Sequence, residues 1–396
     1  MTPRSVRITG WGMYAPERRL TNADLERVVD TSDEWIVTRT GIRERRIAAR
    51  HETTATLAAI AGKRAIAVAG LQPDDIDVIL VATLTPDYWM PSTGALVKEA
   101  IGNTRAAAMD VAAACSGLVY GYSVADAYLR SGMFKNALVV GSETLSRYLD
   151  FSDRGTCILF GDGAGAVVLS ASDEEGGGAQ GMELTTDPDG AYMIWLPSGG
   201  SRSPASGQTL ARGEHYVRME GKETYRYATK TMATTALKAI ERAGWKPDDI
   251  DLFIPHQANV RIIESVAKGL GLPMEKMFVN LDRYGNTSAA SVGIALAEAV
   301  DSGRIKVGDK IVLVAFGAGL TSGGIALEWT ADPLNGKRAE SVEPVATVRE
   351  PIDWSSVDPI PDRLRQVLEG NSGPKVPLDD VVPGEPEPAP RDEVLA

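Results

Sequence analysis

Apolar residues along this chain follow two rhythms up to about residue 330: short runs of strand length, and longer stretches in which they recur every three or four positions. Residues 4–12 predict a strand, Asn22–Val29 a helix capped by Thr21 or Asn22, Thr54–Ala69 a helix and Ile76–Thr83 a strand, followed by a Pro-bounded loop to Ser92. The small-residue run Ala106–Ala114 predicts another strand, and from Ser116 onward Leu118, Val119, Tyr122 and Ala125 recur at helical spacing. Cys115 thus falls where a strand turns into a helix. Ala137–Gly141 and Val167–Ser170 predict strands, Gly221–Ala243 a helix, an apolar strand leads up to His256, and Ile311–Phe316 predicts the last strand. Strands alternating with helices make this an α/β protein.

The pattern occurs twice. Gln72-Pro73-Asp74-Asp75-Ile76-Asp77 returns as Lys246-Pro247-Asp248-Asp249-Ile250-Asp251, an offset of 246 − 72 = 174, and the same offset lays Ala137–Val140 on Ile311–Val314. Two related α/β halves are expected, with Cys115 on Ala289 in the small-residue run Gly285–Ser291, so that two helix starts face each other. The expected organisation is a first half at 1–175, a polar Gly-rich insertion or connection at 176–213, a second half at 214–330 and a tail at 331–396. After Ala331 the chain carries fourteen Asp and Glu against seven Lys and Arg, eleven of its 22 prolines, and one aromatic, Trp354. That composition predicts a largely extended tail with room for one short helix at Asp362–Leu368.

Composition narrows the function. A net charge of −12 speaks against general nucleic-acid binding, and two cysteines cannot form a disulfide framework. With no charged-then-apolar leader and no apolar run of spanning length, a soluble cytoplasmic protein that does not enter a membrane is expected.

The candidate chemistry centres on Cys115. At a helix start a thiol lies near unpaired N–H groups, which favours the thiolate; the competing reading is a buried structural cysteine. Of three histidines only His256 ends an apolar strand and opens onto a loop, where α/β folds place reactive groups, although a merely satisfied histidine would look the same. Asn286 precedes its helix as an N-cap would. Gly317-Ala318-Gly319 is a turn able to aim N–H groups at a ligand, whereas Phe160–Ala166, glycine-rich but followed by a strand, is no dinucleotide fingerprint and fits close backbone packing.

Taken together, AAACSG, PHQANVR, GNTSAAS and FGAGLTSGG, with TSDEWIVTRTGI near the start, resemble the ketoacyl-(acyl-carrier-protein) synthase III family of thiolase-fold condensing enzymes over residues 4–330. The resemblance implies a five-layered αβαβα sandwich of two duplicated halves and a homodimer. It implies Cys115 as nucleophile beside His256 and Asn286, with an oxyanion hole from the backbone N–H groups of Cys115 and Ala318. It implies an acyl-coenzyme A primer, a malonyl acyl-carrier protein as partner, and no cofactor or metal. By the same carry-over Trp35, Arg39 and Arg154 would hold the nucleotide of coenzyme A, Asn259, Arg261 and Phe316 would line the pantetheine tunnel, and Met90 would reach the acyl pocket across the dimer. Arg261, Lys222 and Arg226 would form a basic face for the acidic carrier. A thiolase would need a second cysteine in the C-terminal half, and a hydroxymethylglutaryl-type synthase a Glu base, which the segment around Cys115 lacks. A chalcone-like type III polyketide synthase or a plain acyltransferase using the same cysteine remain the alternatives.

Overall fold

The computed structural model describes residues 5–174, 176–332 and 360–369. The chain opens with β1 (Ser5–Tyr14), then β2 (Arg19–Thr21), α1 (Asn22–Leu25), α2 (Asp33–Thr40) and β3 (Glu44–Arg46), which pairs with β2. Next come α3 (Thr54–Val68), β4 (Val78–Ala82), α4 (Thr93–Ile101), β5 (Ala107–Val111), α5 (Gly117–Arg130), β6 (Asn136–Glu143), the single turn α6 (Arg154–Cys157) and β7 (Gly163–Ser172). The first sheet runs β1-β7-β6-β4-β5, with β6, β4 and β5 parallel.

The second half follows with β8 (Gly178–Thr186), β9 (Ile194–Trp195), α7 (Gly207–Ala211), β10 (Arg218–Met219), α8 (Gly221–Arg242) and β11 (Leu252–Pro255). It continues through α9 (Val260–Leu270), α10 (Leu281–Tyr284), α11 (Ser291–Asp301), β12 (Lys310–Gly317), β13 (Thr321–Glu328) and, in the tail, α12 (Asp362–Leu368). Its sheet runs β11-β12-β13-β8. The 174-residue offset recurs in the fold: β4 and β11 start at 78 and 252, β6 and β12 at 136 and 310, α5 and α11 at 117 and 291. At the same offset β8 is the counterpart of β1, so the segment 176–213 opens the second sheet as well as connecting the halves.

Side-chain alternation explains the layering. On β4, Val78 and Leu80 face a central core with Leu118 and Val119 of α5, Val292 and Leu296 of α11, and Ile311 and Leu313 of β12, while Ile79 and Val81 pack outward among α3 and α4 residues. A parallel strand apolar on both faces is a strand covered on both faces. On the far side Phe253, Val312 and Val314 pack with Ala236 and Ile240 of α8 and Ile263 and Val266 of α9. The five layers are α3/α4, sheet, α5/α11, sheet, α8/α9.

Three boundaries differ from expectation. The helix expected over Asn22–Val29 stops at Leu25, because Arg27 and Val28 bond back to Asp24 and Leu25 in tighter turns that carry Val28 and Val29 into the core. The strand expected to reach Ala114 ends at Val111, since Ala114 adopts φ 47° and starts a turn. The glycine run Phe160–Ala166 does not merely precede a strand. β7 begins inside it, and a Cβ on Gly165 would stand 2.4 Å from the carbonyl carbon of Gly293, so the glycines let β7 and α11 touch through their backbones. α12 lies where the short tail helix is expected, and it docks on α1, with Ile360 and Leu364 buried. The rest of the tail, expected to be extended, lies outside the described residues. Leu364→Ala is expected to weaken this docking by about 2 kcal/mol. Hydrogen exchange across residues 360–369 should speed up accordingly while the sheets keep their protection.

Candidate active site

Both helix starts at the molecular centre are built alike. Ala114 and Ser288, one repeat apart, share φ 47°, a conformation uncommon outside glycine, and each opens a single 3-10 turn, Ala114–Ser116 before α5 and Ser288–Ala290 before α11. The bend after Ala113 takes Cys115 out of the strand direction, and it lines an apolar cavity of about 180 Å³. Gly317 presses its backbone against the same bend; a Cβ there would lie 2.5 Å from the Cys115 nitrogen. Thr321 Oγ1 donates to the Ala113 carbonyl at 2.9 Å, and Ser116 Oγ donates to Thr321 at 2.6 Å, which ties the Ala318 turn to the cysteine.

His256 follows β11, its N–H donating to the Val314 carbonyl at 2.7 Å. Its Nδ1 shares a hydrogen with Ser291 Oγ at 2.6 Å, at the start of α11, and its ring packs edge-on against Phe316 at 5.8 Å. Nε2 is buried without a hydrogen-bond partner among the described residues, on a ring that lines the cavity. Burial pushes the imidazole down to about 3, so the ring is neutral. Asn286 is clamped by its backbone, its N–H donating to the Leu159 carbonyl at 2.8 Å and its carbonyl accepting from Gly161 N–H at 3.0 Å. Its Oδ1 accepts from Ser288 N–H at 2.8 Å, as a cap does, and this orientation leaves the amide nitrogen as a donor toward the cavity that Asn286 lines.

Cys115 departs from the sequence expectation. Burial pushes its thiol up to about 12, with the Ser288 side chain working against that and the Glu143 carboxylate adding to it. The sulfur sits one turn ahead of α5, in an apolar enclosure where removal from water outweighs the helix end. The resting group is a thiol. The sequence reading also missed Glu143, Ser288 and Ser291. No Glu adjoins Cys115 in the chain, yet the fold brings Glu143 from the end of β6 to the same centre, and a lone acid closing the apolar run of β6 was the available signal.

The remaining candidates divide. Phe316, Asn259 and Ala318 line the cavity together with Leu84, Leu145, Leu159, Ile194, Trp195, Val217 and Ile262. Asn259 caps α9 through Arg261 N–H and donates to the Arg39 carbonyl at 3.0 Å. Arg39 and Arg154 both lie over the Trp35 ring, 4.3 and 4.6 Å from its centroid. Arg261 is exposed at the start of α9, with exposed Lys222 and Arg226 on the neighbouring α8. Met90 is 85% exposed and is not among the residues lining this chain's cavity.

Two family models match, 3-oxoacyl-(acyl-carrier-protein) synthase III over residues 109–188 and its C-terminal region over residues 240–329. The β-ketoacyl-(acyl-carrier-protein) synthase III of Symbiobacterium thermophilum is 53% identical over 329 residues, 83% of this chain and 99% of that protein. Among solved structures, the Aquifex aeolicus 3-oxoacyl-(acyl-carrier-protein) synthase III superposes with a TM-score of 0.76 at 44% identity, over 82% of this chain and all of that one. A priming β-ketosynthase from a polyketide biosynthetic pathway superposes with a TM-score of 0.77 at 35% identity, over 84% of this chain and 98% of that one. The chain belongs to the 3-oxoacyl-(acyl-carrier-protein) synthase III family.

Proposed function

We infer that this protein is an acyltransferase of fatty acid synthesis that joins an acyl-coenzyme A primer to malonyl acyl-carrier protein by decarboxylative Claisen condensation. The observation that carries the reading is that Cys115, Asn286, the Ala318 turn and His256, whose Nε2 has no partner among the described residues, line one apolar cavity. Cys115 attacks the primer thioester. The tetrahedral oxyanion takes hydrogen bonds from the N–H groups of Cys115 and Ala318, coenzyme A leaves, and the acyl group stays on sulfur. Malonyl thioester then loses CO2, and its enolate oxygen accepts hydrogen bonds from His256 Nε2–H and Asn286 Nδ2–H. For Nε2 to carry the hydrogen, the Ser291 hydroxyl donates to Nδ1. The enolate carbon attacks the acyl-Cys115 carbonyl, and the 3-oxoacyl thioester departs on the carrier. A neutral imidazole and a neutral amide suit this step, because a carboxylate beside the enolate would repel it.

In this reading no prosthetic group is needed, since the thioester and the departing CO2 supply the driving force. Trp35, Arg39 and Arg154 receive the nucleotide of coenzyme A, Asn259, Arg261 and Phe316 guide the pantetheine, and the basic face of Arg261, Lys222 and Arg226 receives the acidic carrier. The setting is the cytoplasm, and no described helix is long and apolar enough to cross a membrane. The unit is a homodimer in which Met90 of one subunit reaches the acyl pocket of the other. Supporting this, β5 ends the first sheet with Met109 exposed, and Trp89 and Met90 stand 74% and 85% exposed on the loop before α4. Light scattering is expected to give twice the 42.2-kDa chain mass, and Trp89→Glu with Met109→Lys to give the single chain. A wild-type monomer would contradict the dimer.

The activity is tested by supplying a panel of acyl-coenzyme A esters with malonyl acyl-carrier protein. At least one ester is expected to yield a 3-oxoacyl carrier with one CO2 per turnover. Acyl transfer to the carrier without CO2 release would leave the plain acyltransferase in its place.

A further inference from the structure

The bends before α5 and α11 are equivalent by the repeat, yet they are held in different ways. Gly317, the last residue of β12, presses bare backbone against the Ala114 bend; 317 − 174 = 143, and the last residue of β6 is Glu143. Ser288 is the counterpart of Ala114, and its Oγ donates to one oxygen of the Glu143 carboxylate at 3.2 Å. The other hydrogen bonds to that carboxylate come from one loop of the first half. Thr85 Oγ1 donates at 2.6 Å, Thr83 Oγ1 at 3.2 Å, and Leu84 N lies 3.2 Å from both oxygens. The two threonine hydroxyls already accept from the N–H groups of Thr85 and Thr144, which leaves their hydrogens for Glu143. A fully buried carboxylate met by donors on both oxygens is a strong anchor, and this one ties the bend of the second half to the first half.

Glu143 is not among the residues lining the cavity, so its influence on the reaction passes through Ser288. The Ser288 backbone N–H donates to Asn286 Oδ1 at 2.8 Å, the bond that leaves the amide nitrogen as a donor toward the cavity. Ser288 thus holds the acid with its hydroxyl and the amide with its backbone. It does so at φ 47°, a conformation costly for a residue with a side chain, which persists where the surroundings impose it. We propose that Glu143, acting through Ser288, is a positioning residue for Asn286: it fixes the bend and so keeps the amide aimed at the enolate oxygen. The first half of the chain thereby sets the geometry of a donor that belongs to the second.

The proposal rests on Asn286 being a donor to the enolate. Its test is CO2 release from malonyl acyl-carrier protein in a single turnover of the full chain already acylated at Cys115, so that acylation does not enter the readout. Deleting a donor outright typically costs about 10²–10³, and here the donor stays but loses its aim, so Ser288→Ala is expected to slow CO2 release about tenfold. Glu143→Ala should match it. If Glu143→Ala does not fold, Ser288→Ala carries the test, its backbone conformation being one that Ala114 already adopts. Glu143→Gln is expected to keep CO2 release near the wild-type rate, because its amide oxygen can accept from Thr83 and Thr85 while its N–H2 donates to Ser288 Oγ. In an Asn286→Ala background, Ser288→Ala should cost nothing further, since the group it positions is gone. An unchanged rate in Ser288→Ala, the same tenfold loss in the Asn286→Ala background, or a tenfold loss in Glu143→Gln overturns the positioning role, the last by assigning the effect to charge. Asn286→Ala leaving CO2 release unchanged would instead remove the enolate reading, and the proposal with it.

Discussion

Replacing Cys115 with alanine is expected to abolish condensation, with a loss on the order of 10⁴-fold or more. No other side chain lining the cavity is a nucleophile of comparable strength. Cys157, the second cysteine, has no exposure and lies on α6 in a cluster with Phe151 and Phe160. Alanine leaves the bend intact, because the positive φ belongs to Ala114 and the close approach to Gly317. The variant should therefore fold and keep the cavity, which a thermal melt matching the wild type would check. Condensation retained in Cys115→Ala would remove the covalent route.

His256→Ala and Asn286→Ala are expected to split the reaction differently. Each removes one of the two donors to the enolate oxygen, and the loss of one such donor typically costs about 10²–10³ in rate. Release of radiolabelled CO2 should fall by that amount while Cys115 still takes an acyl group, since the oxyanion of acylation draws on the backbone N–H groups of Cys115 and Ala318 and on neither residue's side chain. A pH consequence follows. An imidazole with its ordinary value gains a proton as pH falls through about 6.5, but here burial holds it neutral down to about 3. CO2 release should therefore show no histidine limb between pH 7.5 and 5. His256→Ala losing acylation as completely as decarboxylation would make His256 the base for Cys115 and would redraw both half-reactions.

Much of this architecture was legible because it is periodic. The repeat at 174 residues shows in the identical Pro-Asp-Asp-Ile-Asp turns, and β6 and β12 occupy equivalent ranges because their apolar runs do. The αβαβα sandwich follows from those two halves and from strands apolar on both faces. Cys115 and His256 stood out by position, at a helix start and a strand end, whereas Asn286 read alone as an N-cap and joined them through the family resemblance. What escaped is the set of contacts made only in three dimensions. Glu143 lies in the first half and Ser288 in the second, and only the packing of β6 against the turn before α11 joins them. The state of the thiol escaped for a similar reason. Sequence position shows the helix start, but the apolar enclosure that outweighs it is assembled from Leu84, Leu159, Phe316 and others far apart in the chain. The early end of the helix at Leu25 is likewise tertiary, because Val28 and Val29 serve the core better in turns than on a helix face.

The central claim is the acyl-cysteine. Intact-mass spectrometry of the protein after exposure to acyl-coenzyme A, followed by peptide mapping, reads it directly. The account predicts one acyl group per chain, carried on the peptide containing Cys115 and discharged when malonyl acyl-carrier protein is added; no adduct with any ester that supports turnover, or an adduct on Cys157, would contradict it.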